Sequence, residues 1–339
     1  MKPSELTNGI VQVLDKKAPI SIFIWGPPGV GKSSIVKKVT EDRGIGFKDV
    51  RMALLDPTDL RGIPIPKDGK AQWLSPDFLP DEERDGEQGI LFLDELNVAP
   101  PLVQASGYQL VQDRAIGEYR LPDGWTIVAA GNRQGDRSVT HRMPTALRNR
   151  FVHLQYEANL EDWTEWAIHR EDMNDASTQR IDPMVLGFIR FRPGLLFAFD
   201  PAKDEMAFPT PRSWEFVSHL THMSQDILSE MIAGAVGDGA CAEYLGYVRV
   251  HDRLPDLKTI LEGGRTIPRE QDLKYAVITG CISRAEPRHI DHLVDYLCDY
   301  PPEFAVLGIT LLNYNFKNEV VRAPSFVKKW IPKYKDVVV

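Results

Sequence analysis

Apolar positions along this chain follow two periods. Ile20, Ile22, Phe23 and Ile24 form a short β-branched and aromatic run that stops at Gly26, which predicts a strand. Gly89-Ile-Leu-Phe-Leu-Asp94 is apolar throughout, as suits a parallel strand buried on both faces, and Trp125-Thr-Ile-Val-Ala-Ala-Gly131 predicts another strand. Phe47 to Leu55 is read as a further strand, second in chain order. Between these runs the spacing changes to three and four. Leu6, Ile10, Val11 and Leu14 predict a helix over 3–16, Ile35, Val36 and Val39 a helix after Ser33, and Leu102, Val103, Leu110 and Val111 a helix over 100–113 opened by Pro100 and Pro101. Ala115 to Asp123 reads as a hairpin or tight loop around Gly117, and Met143 to Leu154 as a short helical turn followed by a strand.

Two segments break the alternation. Asp56 to Asp85 carries Pro57, Pro64, Pro66, Pro76 and Pro80 and a Lys67-Asp68-Gly69-Lys70 turn, and is expected to be a long connection with little regular structure. It is either a surface excursion or a functional loop. Beyond residue 155 the pattern is helical. Leu160 to His169 presents Leu160, Trp163, Trp166 and Ala167 on one face, 192–209 is irregular, and Thr210 followed by Pro211 reads as a helix N-cap and first turn. Helices are expected from Gln225 to Arg253. A linker with Pro255, Gly263, Gly264 and Pro268 precedes three or four packed helices that include Leu273 to Gly280, Ile290 to Leu297 and Phe304 to Leu312. The expected domains are an α/β core over 1–155, a helical lid over 156–253 and a C-terminal helical extension over 254–339.

Chemistry concentrates where strands end. Gly26-Pro27-Pro28-Gly29-Val30-Gly31-Lys32-Ser33-Ser34 lies between a strand and a helix, the context a G-x-x-x-x-G-K-[ST] phosphate loop requires, because backbone N–H groups at a helix N-terminus wrap phosphate oxygens. Lys32 is expected on the β- and γ-phosphates and the Ser33 hydroxyl on Mg²⁺. The bland alternative is a glycine-rich turn. Asp94 and Glu95 end a strand where open α/β sheets bind ligands, with Asp94 expected to hold Mg²⁺ and Glu95 to activate the attacking water; the alternative is a helix-capping pair. Asn132 ends another strand and is placed to orient that water, although an isolated Asn is more often a turn residue. Arg148 and Arg150 stand between a helical turn and a strand, where an exposed arginine could reach a neighbour's γ-phosphate. Arg212 falls in the first turn of a helix, where a cation is unfavourable unless an anion meets it.

Composition narrows the field. The chain of 339 residues is 43% apolar and 26% charged, with a net charge of −8 that argues against a protein coating nucleic acid through a general basic field. Cys241, Cys281 and Cys298 have no metal-ligand spacing and are expected as reduced core thiols. His289 and His292 lack an obvious third ligand and read as surface residues. The N-terminus shows no apolar signal core and no run is long enough for a membrane span, so a cytoplasmic location is expected.

The order of these blocks resembles the AAA+ ATPases and, within them, the MoxR-like group: Gly26-Pro-Pro-Gly-Val-Gly-Lys-Ser33, Leu55-Asp-Pro-Thr-Asp-Leu-Arg-Gly62, Leu91-Phe-Leu-Asp-Glu-Leu-Asn97, Ala129-Ala-Gly-Asn132 and Pro144-Thr-Ala-Leu-Arg-Asn-Arg-Phe151. The resemblance implies a Walker A loop at Gly26 to Ser33, Walker B at Asp94 and Glu95, sensor 1 at Asn132, an arginine finger at Arg150 with Arg148 in reserve, and sensor 2 at Arg212. It places a helix-2 insertion on Asp56 to Asp85 and a pre-sensor-1 hairpin on Arg114 to Gly124. Many similar proteins have Asn-Arg after the Walker B carboxylates, where this chain has Asn97-Val98.

The function implied is a Mg²⁺-dependent, ring-forming ATPase, typically hexameric and chaperone-like, acting on a client protein with a separate partner that contains a von Willebrand factor A domain. A nucleic-acid motor is the second reading. It is weakened because Arg61, Lys67 and Lys70 in the insertion are offset by Asp56, Asp59, Asp68, Asp77 and Asp81. A scaffold that binds ATP without turning it over is the third, and the paired carboxylates argue against it.

Overall fold

The computed structural model describes residues 1–133, 135, 141–169, 181–203, 205–221, 223–252 and 257–334. Two compact units emerge, Met1–Asn159 and Leu160–Val339.

In the first unit the order is α1 (Pro3–Asp15), β1 (Ser21–Trp25), α2 (Lys32–Arg43), β2 (Gly46–Arg51), β3 (Ile63–Lys67), β4 (Lys70–Leu74), α3 (Glu82–Asp85), β5 (Gly89–Asp94), α4 (Pro101–Asp113), β6 (Ala115–Ile116), β7 (Tyr119–Arg120), β8 (Trp125–Gly131), α5 (Thr145–Arg148) and β9 (Phe151–Gln155). Five strands form one sheet in the order β2-β5-β8-β1-β9, and every pairing in it is parallel. The apolar runs account for this: every residue of β8, and all of β5 up to Asp94, is buried. Such strands need cover on both faces, which parallel sheets obtain from crossover helices. One apolar cluster joins Phe23 of β1, Leu91 and Leu93 of β5, Val103 and Leu110 of α4, and Ile127 and Ala129 of β8.

The start of the sheet is packed around Trp125. Gly46 and Gly89 are register partners, and a Cβ at either would stand 2.6–2.7 Å from the Trp125 ring. The indole N–H donates to the Gly86 carbonyl at 2.9 Å. Two glycines are thus the space into which the largest buried side chain fits.

Two expectations are revised. The segment Asp56 to Asp85 is not largely irregular: β3 and β4 form an antiparallel hairpin with Lys67 paired to Lys70. Asp68 and Gly69 both take positive φ, 52° and 74°, the geometry of a tight hairpin turn whose twist matches its strands. Pro64 and Pro66 are tolerated because the hairpin is an isolated pair. The strand expected from Phe47 to Leu55 stops at Arg51, and Met52–Leu54 continues as a 3-10 turn that sinks Met52 into the core. The small hairpin about Gly117 forms as expected.

The second unit is helical: α6 (Leu160–His169), α7 (Pro183–Phe191), α8 (Pro211–Leu220), α9 (Gln225–Val236), α10 (Asp238–Asp252), α11 (Leu257–Leu261), α12 (Gln271–Ser283), α13 (Ile290–Leu297), α14 (Pro302–Asn315), α15 (Lys317–Arg322) and α16 (Ile331–Tyr334), the last preceded by a π-helical turn at Phe326–Trp330. Phe188 of α7, Trp214 of α8, and Tyr244 and Tyr247 of α10 meet ring to ring at 5.3–5.9 Å. Thr210 caps α8 as expected, its hydroxyl accepting the Ser213 N–H at 3.0 Å while the Ser213 hydroxyl accepts the Thr210 N–H at 2.7 Å. Within the expected linker α11 is helical, while Arg253 and Pro255 lie outside the described residues.

All three cysteines are free and buried, and burial pushes the Cys281 thiol up to about 12. These are packing residues without reactive character. Among the described residues no group of three or more His, Cys, Asp or Glu is arranged for a metal ion, which covers His289 and His292. Among the described residues no helix is long and apolar enough to cross a membrane.

Gly89→Ala should test the Trp125 packing. A methyl group there meets both the ring and the Gly46 carbonyl oxygen at 2.6 Å, overpacking that costs about 1–3 kcal/mol. Urea unfolding of the variant should show a lower midpoint, and an unchanged midpoint would mean that the strand start is loosely packed.

Candidate functional site

The site is built by strand register. Trp25 pairs with Gly131, Leu93 with Ala129 and Arg51 with Asp94, so the C-terminal ends of β1, β5 and β8 are level. The residues that follow, Gly26, Glu95 and Asn132, therefore emerge at one end of the sheet.

Gly26 continues β1 in the sheet, its N–H donating to the Gly131 carbonyl at 3.3 Å. Gly29 and Gly31 then take φ of 76° and 93°, a region open to glycine and costly for other residues. Gly31 is the N-cap of α2, and no side chain caps that end. The first-turn N–H groups of the helix are thus left for an anion, where the helix dipole favours one. Lys32 folds back over the loop. Its ammonium donates to the carbonyls of Gly26 at 2.7 Å and Pro27 at 2.9 Å, and to Asn132 Oδ1 at 3.0 Å. Ser33 is half-buried and Ser34 exposed; Pro27 and Val30 are buried and Pro28 half-buried.

Asp94 is half-buried at the end of β5, and its Oδ1 accepts the Glu95 N–H at 3.0 Å. Glu95 is exposed and takes φ of 54°, a left-handed conformation that a non-glycine residue holds at a cost. Its carbonyl accepts the N–H groups of Val98 at 2.9 Å and Ala99 at 3.2 Å, which fixes the turn. Asp49 of β2 adds negative charge nearby. Burial, and secondly the charge of Asp94, raise its carboxyl above the usual range, against a lowering by Arg51. Carboxylates at the end of β5, an uncapped helix N-terminus, a lysine and a serine hydroxyl, all at one end of the sheet, are the kinds of group that suit a magnesium nucleotide triphosphate.

Three side chains without a recognised role hold this arrangement. Asn97 is buried, its side-chain amide N–H donating to the Asn132 backbone carbonyl at 2.7 Å while the Asn97 backbone carbonyl accepts the His141 N–H at 2.7 Å. Gly131 leaves room for it, since a Cβ there would come within 2.2 Å of Asn97 Oδ1. Tyr156, just past β9, donates its hydroxyl to the Val30 carbonyl at 3.0 Å and its N–H to the Trp25 carbonyl at 2.7 Å, clamping both ends of the phosphate loop's first half. Arg133 reaches the Tyr156 carbonyl at 3.3 Å and Glu157 at 3.0 Å. In the sequence Asn97 was visible only as the first residue of Asn97-Val98, where many similar proteins have Asn-Arg, and its bonds were not legible; Tyr156 and Arg133 gave no local signal.

Arg148 and Arg150 are not part of this cluster. Phe151 pairs with Ser21 and Gln155 with Trp25, so the arginines precede β9 at the opposite end of the sheet, about 15 Å of strand from the phosphate loop. Both are half-buried. Arg150 donates to Gln112 Oε1 at 2.9 Å and to the Ala146 carbonyl at 2.8 Å, and its guanidinium lies 4.8 Å from the centroid of the Tyr108 ring. Arg148 reaches Thr145 Oγ1 at 3.3 Å. Arg212 belongs to the second unit, exposed on the first turn of α8.

Parts of the chain are similar to known proteins. Residues 21–151 match the model of the AAA domain (dynein-related subfamily). A Holliday junction branch migration complex subunit RuvB from Parabacteroides distasonis is 26% identical over 157 residues, which cover 42% of this chain and 39% of that protein. Solved structures with similarity include the RuvB Holliday junction branch migration motor of Thermotoga maritima, 16% identical with a TM-score of 0.38 over 81% of this chain and 80% of that one. NtrX from Brucella abortus is 17% identical with a TM-score of 0.38 over 64% and 51%. A protein from Cytophaga hutchinsonii is 14% identical with a TM-score of 0.36 over 99% and 89%. The match to the AAA domain model is confined to residues 21–151 and supports ATPase activity.

Proposed function

We propose that the protein hydrolyses ATP with Mg²⁺ at the strand ends of its first unit and works as a ring-forming remodeller of the MoxR-like kind, expected as a hexamer. The observation that carries the reading is the contact of Lys32 with Asn132 Oδ1, because it puts the phosphate-loop cation and the amide at the end of β8 on one point in space. The backbone N–H groups of Gly29 to Ser33 would hold the phosphate oxygens, with Lys32 exchanging its carbonyl partners for the β- and γ-phosphates. Ser33 and Asp94 would hold Mg²⁺, which offsets the charge of the phosphate oxygens. Glu95 is exposed at the same end, where its carboxylate accepts a proton from water, and Asn132 orients that water.

Arg150 completes the site from a neighbouring copy in this reading. Its place at the far end of β9 argues against a role in its own subunit's pocket, and it is held half-exposed on α4. Arg148 is the second choice and Arg212 the lid contact. The remodelling role, the client, a partner with a von Willebrand factor A domain and a cytoplasmic setting rest on the resemblance of the motif blocks. The RuvB match raises the alternative of a nucleic-acid motor. The acidic balance of the chain and of the insertion favours a protein client.

Glu95→Gln should lower ATP turnover by about 100-fold or more while leaving ATP binding intact; turnover close to wild type would remove Glu95 as the base. Arg150→Ala should likewise keep nucleotide affinity and lose about 100-fold or more in turnover. Wild-type turnover per subunit should fall on dilution through the assembly range, and a rate independent of concentration would contradict a shared site. DNA that stimulates turnover, with an effect lost steeply as salt rises, would put the motor reading first.

A further inference from the structure

We infer that His153 is a positioning residue, one that fixes the arginine segment against the strand that ends in the phosphate loop. The inference rests on the reading of Arg150 as a finger offered to an adjacent copy. The register of β1 and β9 sets Phe23 opposite His153, with Trp25 two residues further along the same face. Trp25 stacks on Phe23 at 4.2 Å between centroids, and the imidazole lies 5.7 Å from Phe23 and 5.9 Å from Trp25. The Trp25 indole N–H donates to His153 Nδ1 at 2.8 Å, and His153 Nε2 stands 2.8 Å from the Arg148 carbonyl.

These two partners leave one protonation pattern. An indole nitrogen has only a proton to give and a carbonyl has only lone pairs, so Nδ1 accepts and Nε2 donates. The bond to Arg148 has a structural consequence. Arg148 is the last residue of α5, a helix of one turn. The N–H groups of Asn149 and Arg150 take the carbonyls of Thr145 and Leu147, each at 3.1 Å, which leaves the Arg148 carbonyl to a side-chain donor, and so short a helix does not hold itself in place. His153 supplies the missing donor. Arg150 depends on the same turn, because its Nη1 donates to the Ala146 carbonyl at 2.8 Å within α5. The other end of the connection is equally fixed, since Trp25 precedes Gly26 and its carbonyl accepts the Tyr156 N–H at 2.7 Å. His153 touches neither nucleotide nor reacting water. It sets where the α5 turn lies, and the turn sets where Arg150 points.

Two substitutions separate the two bonds. In His153→Asn the side-chain oxygen takes the place of Nδ1, so the Trp25 partner is kept and the Arg148 partner lost. In His153→Gln the side-chain amide takes the place of Nε2, so the Arg148 partner is kept and the Trp25 partner lost. The indole 1H–15N resonance of Trp25, assigned with Trp25→Phe and recorded without nucleotide, should stay near its wild-type position in the first variant and move in the second. His153→Asn should lower kcat about three- to tenfold at unchanged KM for ATP, the effect of one hydrogen bond, while His153→Gln stays within about twofold of wild type.

Mixed assemblies then place the effect. Glu95→Gln subunits keep their arginine segment, and Arg150→Ala subunits keep their own pocket, so the two mixed should hydrolyse ATP although neither does alone. Adding His153→Asn to the Glu95→Gln subunit should lower the mixed rate about three- to tenfold, and adding it to the Arg150→Ala subunit should leave the rate unchanged. Equal loss from either placement, or no loss from the first, overturns the role assigned to His153 alone. A mixture of the two parents that stays inactive overturns the finger reading itself, and the positioning role with it.

Discussion

The parallel register of β1 with its two neighbours is the constraint on which the rest depends. Trp25 lies beside Gly131 on one side and Gln155 on the other, and the same alignment continues through β5 to β2. Because each side chain's direction alternates along a strand, a slip of one residue would turn His153 away from Phe23 and Trp25 and move Asn132 off Lys32. The register is protected by burial: β8 is covered along its whole length, and the glycine pair at Gly46 and Gly89 accepts Trp125 in one alignment only. Packing at the start of the sheet therefore determines which residues meet at its end.

That end gathers groups of both charges. Lys32 is drawn onto two backbone carbonyls and an amide oxygen, the Gly31 end of α2 has no side-chain cap, and Asp49 is crowded by burial and by Asp94. Glu95 holds a left-handed backbone in a turn closed by the N–H groups of Val98 and Ala99. An uncapped helix end, a lysine and neighbouring carboxylates are complementary to a triphosphate and a divalent cation, respectively. The fold stores these local costs because burial of the sheet supplies far more stabilisation than they remove.

Much of this was legible from residue order. Gly26 to Ser33 reads as a phosphate loop because its flanking runs change period from strand to helix, and Asp94, Glu95 and Asn132 are read by their place at strand ends. The Thr210-Pro211 cap is likewise local chemistry. The β3–β4 hairpin was missed because Pro64 and Pro66 suggest a broken chain, although Asp68-Gly69 between two lysines is a strong turn signal. Asn97, Tyr156 and His153 were missed for a different reason. Their partners are 35, 126 and 128 residues away, and no spacing within a single segment records such contacts. The arginines illustrate both limits: the sequence shows that Arg148 and Arg150 flank a strand, and only the register shows that they occupy its far end.

Equilibrium binding of MgATP to wild type and to Lys32→Ala tests the central claim most directly, because it asks whether the point where β1, α2 and β8 converge is a phosphate site. The account predicts that wild type binds and that the variant, lacking charge-assisted bonds worth about 1.5–3 kcal/mol, binds roughly 10- to 100-fold more weakly with its unfolding midpoint little changed. Equal affinity in the two proteins, or no binding to either, would contradict it.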